Sequence, residues 1–520
     1  MFIMRARKTH GIVLFQVCLL AVSFSALGNV SVPNIIGDHM VLQEGLKIPI
    51  WGKADPGEMV TVTLDKNTEQ AVADDKGSWC VRLPKMKAGG PYEMGISGKA
   101  NSLCIKDILV GEVWMGSGQS NMQWTVSNSN NAAQEIANAN YPSIRLFDVE
   151  RTVATQPKDN CNGSWKVCSP ESIPEFSAVL YYFGRELFTV LRVPMGLIHT
   201  SWGGTPAESW ASRPTLASDP DLNVIVQRWD KILAEYPAAK QAYDQALGEW
   251  EKAAEKAKAE GQPEPQKPGA PQGPDHPWLA AGLYNSMIAP LVPYAVKGSI
   301  WYQGESNAGR AYQYRKLFPA MIEDWRKSWG QKSFSFYFVQ LANFTDVLPE
   351  PGDSDWAELR EAQTMTLKLK DTGMATIIDI GEAKDIHPRN KQDVGKRLAL
   401  NALSNDYGKD VVFSGPMYTS VKFKGNEAII TFKYTDGGLQ TRNGEFLKGF
   451  SIAGADKKFV WANATIQGKK VVVSSPHVNE PASVRYAWAN NPVCNLYNGA
   501  GLPALPFRTD DWPGITVNKK

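Results

Sequence analysis

Histidine and cysteine are scarce in this 520-residue chain, with 6 of each, and the patterns they fail to form exclude whole classes of chemistry. No Cys-x-x-Cys pair and no His-Glu-x-x-His occurs, so a zinc site has no support and no metal is expected. Charge of one sign is lacking as well. Lys and Arg number 55 against 53 Asp and Glu, which leaves no electrostatic footprint for a phosphate backbone or an anionic membrane. No nucleic-acid partner is expected. Long hydrophobic runs are confined to one place, from Gly11 to about Ala26. That run follows Arg5, Arg7 and Lys8 and ends where Ala26 and Gly28 flank Leu27, the layout of a cleavable signal peptide. It is short for a bilayer span of about 20 residues, and it contains Gln16. Residues 1–28 are therefore expected to be a leader. The mature protein would be exported, periplasmic or secreted (lysosomal or secreted in a eukaryote), without membrane association after cleavage. Cys18 would leave with the leader, so an odd set remains: Cys80, Cys104, Cys161, Cys168 and Cys494. Cys161 and Cys168 are near enough in sequence for a small loop-closing disulfide in an oxidising compartment.

A chain of this length, 43% hydrophobic and 21% charged, can bury more than one core and should divide into domains. Residues 29–107 carry short β-rich runs such as KIPIWG and MVTVTLD between turn residues, an N-terminal all-β region. Residues 108–408 change pattern. Apolar strand candidates (ILVGEVWMG, MGLIHTSWGG, KGSIWYQGESN, FSFYFVQLANF and MATIIDIG) each run into a polar loop, with helical stretches over 178–192, 312–329, 356–370 and 390–404. Such alternation predicts an α/β fold with a mostly parallel sheet. A segment over about 222–277, helix-forming at first and Pro/Gly-rich after, interrupts it and reads as an inserted helical hairpin and linker. Residues 409–520 return to β-rich runs and Gly-containing turns. Trp and Tyr, 17 of each, suit sugar stacking but fill cores more often.

The chemistry-bearing signal is Gly116-Ser117-Gly118-Gln119-Ser120-Asn121-Met122, directly after a predicted strand. Ligands of open α/β sheets bind beyond the carboxyl ends of the strands, and a glycine-flanked loop there can expose a serine. Met122 stands where a nucleophile elbow needs glycine, Asn121 where a dinucleotide fingerprint does, and no Lys-Ser/Thr pair completes a Walker loop. On its own the loop is equally well a turn with Ser120 capping a helix. Two further loops add weight. Ser201-Trp202-Gly203-Gly204-Thr205 carries paired glycines whose N–H groups can approach an oxyanion. In Trp301-Tyr302-Gln303-Gly304-Glu305-Ser306-Asn307, Gln303 offers an amide and Glu305 a carboxylate. A serine nucleophile needs a base, usually histidine. His39 and His477 fall in the flanking β regions, His276 ends the insertion, and His199 sits in an apolar strand as a core histidine would. That leaves His387, in Asp385-Ile386-His387-Pro388, with Asp385 to orient it.

Together the GQSNM, WGGT, WYQGES and DIHP blocks resemble those of the sialate O-acetylesterases and their relatives among the SGNH/GDSL-like carbohydrate acetylesterases, across nearly the whole mature chain. The resemblance implies a flavodoxin-like SGNH core with a parallel sheet, flanked by the N-terminal and C-terminal all-β regions. It implies no metal or organic cofactor, an acetylated sugar or glycan as substrate, and hydrolysis of O-acetyl esters through an acetyl-serine, sialic acid 9-O-acetyl groups foremost. By the same resemblance Ser120 is the nucleophile and His387 the base. Gly203 or Gly204 with Gln303 joins the Ser120 N–H in the oxyanion hole, and Asn121 and Glu305 give support. The superfamily usually places aspartate three residues before the histidine, where Lys384 stands here, so Asp385, Glu305 and Asp379 compete for the acidic position, with a serine-histidine dyad whose ring is oriented by a backbone carbonyl as the further alternative. An acetylxylan or other polysaccharide esterase is the alternative substrate reading. A non-catalytic carbohydrate-binding protein is the alternative of another class.

Overall fold

The computed structural model describes residues 29–331 and 334–520; the expected leader, 1–28, lies outside them. The expected parallel strands form. Strand β1 (Ser102–Gly118), β2 (Tyr141–Asp148), β3 (Trp165–Cys168), β4 (Met195–Ser201), β5 (Gly298–Tyr302), β6 (Ser335–Gln340) and β7 (Thr372–Thr376) lie in the spatial order β7-β6-β5-β1-β4-β2-β3. All neighbours along this path pair parallel except β3, which runs antiparallel to β2. Every residue of β4, β5 and β6 is buried, as unalternating apolar strands must be when helices cover both faces. Register pairs Trp114 of β1 with Gly298 of β5, so Trp301, three residues on, points to the other face. Trp114 packs on Phe183 of helix α2 (Ala178–Leu191), and Trp301 on Phe318 and Trp325 of helix α4 (Ala311–Trp329). Helix α5 (Asp355–Thr366) packs beside α4, and α6 (Lys391–Asn405) beside α2. The result is an α/β fold on a large mixed sheet of 11 strands.

The sheet is mixed because β1 is 17 residues long and serves two neighbourhoods. Its first half pairs antiparallel with Gly89–Ser97, which continues into Met59–Leu64 and Asn67–Val72. Its second half enters the parallel core. The expected boundary at residue 107 therefore falls inside one continuous strand, and one buried cluster runs from Val30 to Leu403 and on to Leu505. The C-terminal region forms separate antiparallel sheets, among them Met417–Lys424 with Glu427–Lys433, Lys470–Ser474 and Asn463–Gln467, around a second buried cluster.

Two expectations are corrected. The insertion is not a helical hairpin but one helix, α3 (Pro220–Ala259), of 40 residues, with an extended return. Its first turns are anchored by Leu222, Ile225, Val226 and Trp229. The Pro-rich return cannot form a second helix, since each proline removes a donor and clashes with the preceding turn. It lies back along α3 instead, where Trp250 Nε1 donates to the Pro265 carbonyl at 2.8 Å. Cys161 and Cys168 form no disulfide; all five cysteines among the described residues are free thiols. No helix among those residues is long and apolar enough to cross a membrane.

Trp325 is fully buried between Trp301, Phe336 and Trp329 and donates to the Trp210 carbonyl at 2.8 Å. Trp325→Ala should cost about 3–5 kcal/mol, read as a lower urea midpoint for loss of tryptophan fluorescence.

Candidate active site

The site forms where β1, β4 and β5 end side by side, and backbone hydrogen bonds lace those ends together. Gln119 N–H donates to the Tyr302 carbonyl at 3.0 Å, and Trp202 N–H to the Gly118 carbonyl at 3.1 Å. Gly118 has φ +137, and a Cβ there would stand 2.1 Å from the Tyr302 carbonyl oxygen. Only glycine permits this approach. The chain then turns into the short helix α1 (Ser120–Gln123), with Ser120 as its first residue. Gln119 is buried, and its Oε1 accepts from the Gly304 and Ser306 N–H groups at 3.4 Å each. The first and third sequence blocks are thereby joined.

His387 arrives from the loop between β7 and α6. Its Nε2 lies 2.8 Å from Ser120 Oγ. Trp124 stacks on the imidazole with ring centres 5.1 Å apart and planes 13° from parallel. Asp385 accepts from the His387 backbone N–H at 2.9 Å and lies 3.5 Å from Nδ1. It thus fixes the loop and faces the ring, though Nδ1 sits at the outer limit of a hydrogen bond. Asp379 is engaged elsewhere, with Arg397 at 2.6 and 2.9 Å and with the Tyr497 hydroxyl at 3.2 Å. Burial lowers the imidazole pKa from its ordinary value, the nearby Lys391 charge lowers it further, and Asp385 opposes both.

Gly203 borders the nucleophile: a Cβ on it would stand 3.2 Å from Ser120 Cβ. Its N–H donates to Gln123 Oε1 at 2.7 Å. Gly204 adopts φ +74, and its carbonyl accepts from Ser306 Oγ at 3.0 Å. Gln303 departs from expectation as an oxyanion donor. It is fully buried, and both amide hydrogens are spent, on Asn307 Oδ1 at 2.7 Å and the Thr205 carbonyl at 3.3 Å; Tyr314 donates to its Oε1 at 3.0 Å. It holds the loops together from beneath. Asn121 and Glu305 do meet: Asn121 Nδ2 donates to Glu305 Oε1 at 2.7 Å and to the Ile386 carbonyl at 3.0 Å. Burial raises the Glu305 pKa.

Three residues were missed from the sequence. Trp124 carries no signal there, and Lys391, at the start of α6, reads as a solvated helix lysine although it is fully buried. Gln123 looks like an ordinary polar helix residue. His199 is buried as a core histidine should be, yet its ring lies 2.8 Å from Asp148 Oδ1 and 2.6 Å from Ser201 Oγ. This has the outline of a second triad. Ser201 is itself buried at 2% exposure, and attack requires access, so the cluster fastens the end of β4 beneath the Gly203 loop. No group of three or more His, Cys, Asp or Glu side chains suited to a metal occurs among the described residues.

A serine hydrogen-bonded to a histidine at the carboxyl ends of parallel strands, beside glycine N–H groups, defines a serine hydrolase on an α/β fold. Residues 274–404 match the family described as "Carbohydrate esterase, sialic acid-specific acetylesterase". The chain is 33% identical to the sialate O-acetylesterase of Mus musculus, over 91% of this chain and 93% of that one. It is 32% identical to that of Homo sapiens, over 93% and 94%. A solved carbohydrate acetylesterase from Xanthomonas citri superposes with a TM-score of 0.79 at 38% identity, covering 93% of this chain and all of the other. The chain belongs to the sialate O-acetylesterase family. It is an enzyme, a serine esterase that hydrolyses O-acetyl groups of carbohydrates.

Two outcomes follow from the geometry. A histidine with a lowered pKa stays neutral to lower pH, so with His387 as the expected base the acid limb of kcat/KM should lie below pH 6.5, the ordinary histidine value; Asp385→Asn, which removes the opposing anion, should move that limb lower still, while Asp379→Asn should not move it. Gln303→Ala should lower stability by about 1–3 kcal/mol through the partners left unpaired, seen in urea unfolding, without the roughly 10²–10³-fold loss of turnover that removing an oxyanion donor brings.

Proposed function

We propose that Ser120 is the nucleophile and His387 the general base of this esterase, and the observation that carries the proposal is the 2.8 Å contact between Oγ and Nε2. Ser120 Oγ attacks the acetyl carbonyl carbon as His387 Nε2 takes its proton. The tetrahedral intermediate collapses, the C–O bond to the sugar breaks, and His387 returns the proton to the departing alcohol. Water then attacks the acetyl-serine, His387 accepts a proton from it, and acetate leaves as Ser120 is reprotonated. The developing oxyanion is received by the Ser120 N–H and by the Gly203 N–H, from which it displaces Gln123 Oε1, with the Gly204 N–H alongside. Asp385 is the acidic member, orienting His387 through its backbone N–H and stabilising the imidazolium. No cofactor takes part.

The core is of the flavodoxin-like SGNH kind, in the sense that parallel strands present the serine at the carboxyl end of the first. Numbered among the parallel strands alone, its order is 6-5-4-1-3-2, whereas a flavodoxin-like sheet reads 2-1-3-4-5; the strand carrying the Gly203 loop has moved between its neighbours.

The substrate is an O-acetylated sugar: the mammalian relatives, named as sialate O-acetylesterases, support an O-acetylated sialic acid, and the 9-O-acetyl ester is the position proposed. A broader second reading, a polysaccharide acetylesterase acting on xylan among others, is supported by the Xanthomonas citri structure, described as a carbohydrate acetylesterase. The basic and apolar N-terminal segment supports export to the periplasm or beyond, and the balanced charge supports neither a nucleic-acid nor a membrane partner.

Acetate release from 9-O-acetylated sialic acid and from acetylated xylan, by wild type and Ser120→Ala in parallel, tests both levels. Ser120-dependent release from the sialic acid alone is expected. Release from xylan instead would replace the substrate, and release unaffected by Ser120→Ala would overturn the assignment of the nucleophile.

A further inference from the structure

Lys391 is the first residue of α6, and its side chain has no exposed surface. Both facts are unfavourable on their own. A cation at a helix N-terminus opposes the backbone dipole, and a buried ammonium loses its hydration. Its three N–H donors find one hydrogen-bonding side chain, Asn121, whose Oδ1 lies 2.6 Å from Nζ. The rings of Tyr302 and Trp124, with centres 5.5 and 5.7 Å from Nζ, supply their π faces.

The counter-charge sits on the far side of the same amide. Asn121 turns its Nδ2 to Glu305 Oε1 at 2.7 Å, so one asparagine separates a buried carboxylate from a buried ammonium with its dipole aligned to both. The second carboxylate oxygen, Glu305 Oε2, has no hydrogen-bond partner. This bridge touches the reacting groups in two places. Asn121 follows Ser120 directly and also donates to the Ile386 carbonyl at 3.0 Å, the peptide unit that leads into His387. Trp124 carries the imidazole on its face and has the ammonium within 5.7 Å of its ring centre.

We propose that Lys391 is a positioning residue for the esterase reaction: with Glu305 across Asn121, it clamps the histidine-bearing loop against the nucleophile's helix and holds a cation behind the imidazole. The proposal rests on the reading of Ser120 and His387 as nucleophile and base. The groups facing Lys391 are Glu305 and Tyr302 from β5 and its loop, Asn121 and Trp124 from α1 and its end, and Glu382, Asp385 and His387 from the loop before α6. Burial draws the lysine pKa down to about 7, with Glu305, Glu382 and Asp385 acting against it. A cation in that place keeps the imidazole unprotonated to lower pH, in line with the lowered His387 value.

The test is the pH profile of kcat/KM for acetate release from an acetylated sugar that wild type hydrolyses in a Ser120-dependent way, measured for Lys391→Met, Lys391→Arg and the double variant Lys391→Met with Glu305→Gln. The double variant removes both charges and so leaves no unpaired buried ion, which guards against a single variant that fails to fold. In Lys391→Met the acid limb should rise by about one pH unit, the size of shift that one neighbouring charge typically produces, with roughly tenfold slower turnover on that limb and little change in KM; in the double variant it should rise by less, because the anion removed with the lysine lies across Asn121. Lys391→Arg should keep the limb near its wild-type position. A folded double variant whose limb stays in place, even with reduced stability or turnover, would overturn the proposal and leave Lys391 a structural residue. If wild type itself shows no Ser120-dependent acetate release, the underlying reading of the site fails instead, and the two failures are distinguishable.

Discussion

The hydrogen bond between Ser120 and His387 joins residues 267 positions apart, and most of the surrounding structure exists in a form that makes this contact. Neither partner sits within a long regular element. Ser120 opens a short helix beyond β1, and His387 lies in a loop between β7 and α6. Loops are mobile unless tied down, so their accuracy has to come from elsewhere. It comes from the parallel sheet, whose strands end on a common edge, and from polar side chains that bolt each loop to its neighbour.

Those bolts are amides. Gln119 joins the Ser120 loop to the Glu305 loop, Gln303 fastens Asn307 and Thr205 below, and Asn121 links Glu305, Lys391 and the Ile386 carbonyl. An amide side chain presents donor and acceptor at one end and can bridge two backbones without introducing a charge. Two of the charges behind the site, Glu305 and Lys391, oppose one another across Asn121. A site built this way keeps Ser120 partly exposed and the Glu305–Lys391 pair behind it. The glycines complete the arrangement by letting backbones approach: Gly118 against Tyr302 and Gly203 against Ser120.

Much of this was legible in the chain. The apolar runs of β4, β5 and β6 announced buried parallel strands, and α2, α4, α5 and α6 fall within a few residues of the expected spans. Ser120, His387, Asp385 and Gly203 were all named from the blocks that carry them, and the structure brings them together. Elsewhere residue type alone does not show what a polar group is free to do. Gln303 looked like a donor, yet its hydrogens are already committed. The insertion is one helix where a hairpin is expected, because the proline-rich half supplies the packing partner that a second helix would have provided. The expected boundary at residue 107 followed a change in composition, whereas β1 runs through it, since a strand can exchange one set of neighbours for another without any local break.

What the sequence determined by itself was the chemistry and its order along the chain: a serine in a glycine-flanked loop, glycine-rich and amide-bearing loops after later strands, and a histidine with an aspartate near the end. These are local properties, set by residue type and short-range pattern. What only the tertiary structure decided was which polar atoms remain available and which charges lie buried. Lys391 and Asn121 are 270 positions apart, and nothing in the neighbourhood of either forecasts that an ammonium at a helix start will be enclosed by two aromatic rings and an amide. Burial and hydrogen-bond commitment are properties of surroundings assembled from distant segments, and they exist only once the strands have brought their ends to one edge.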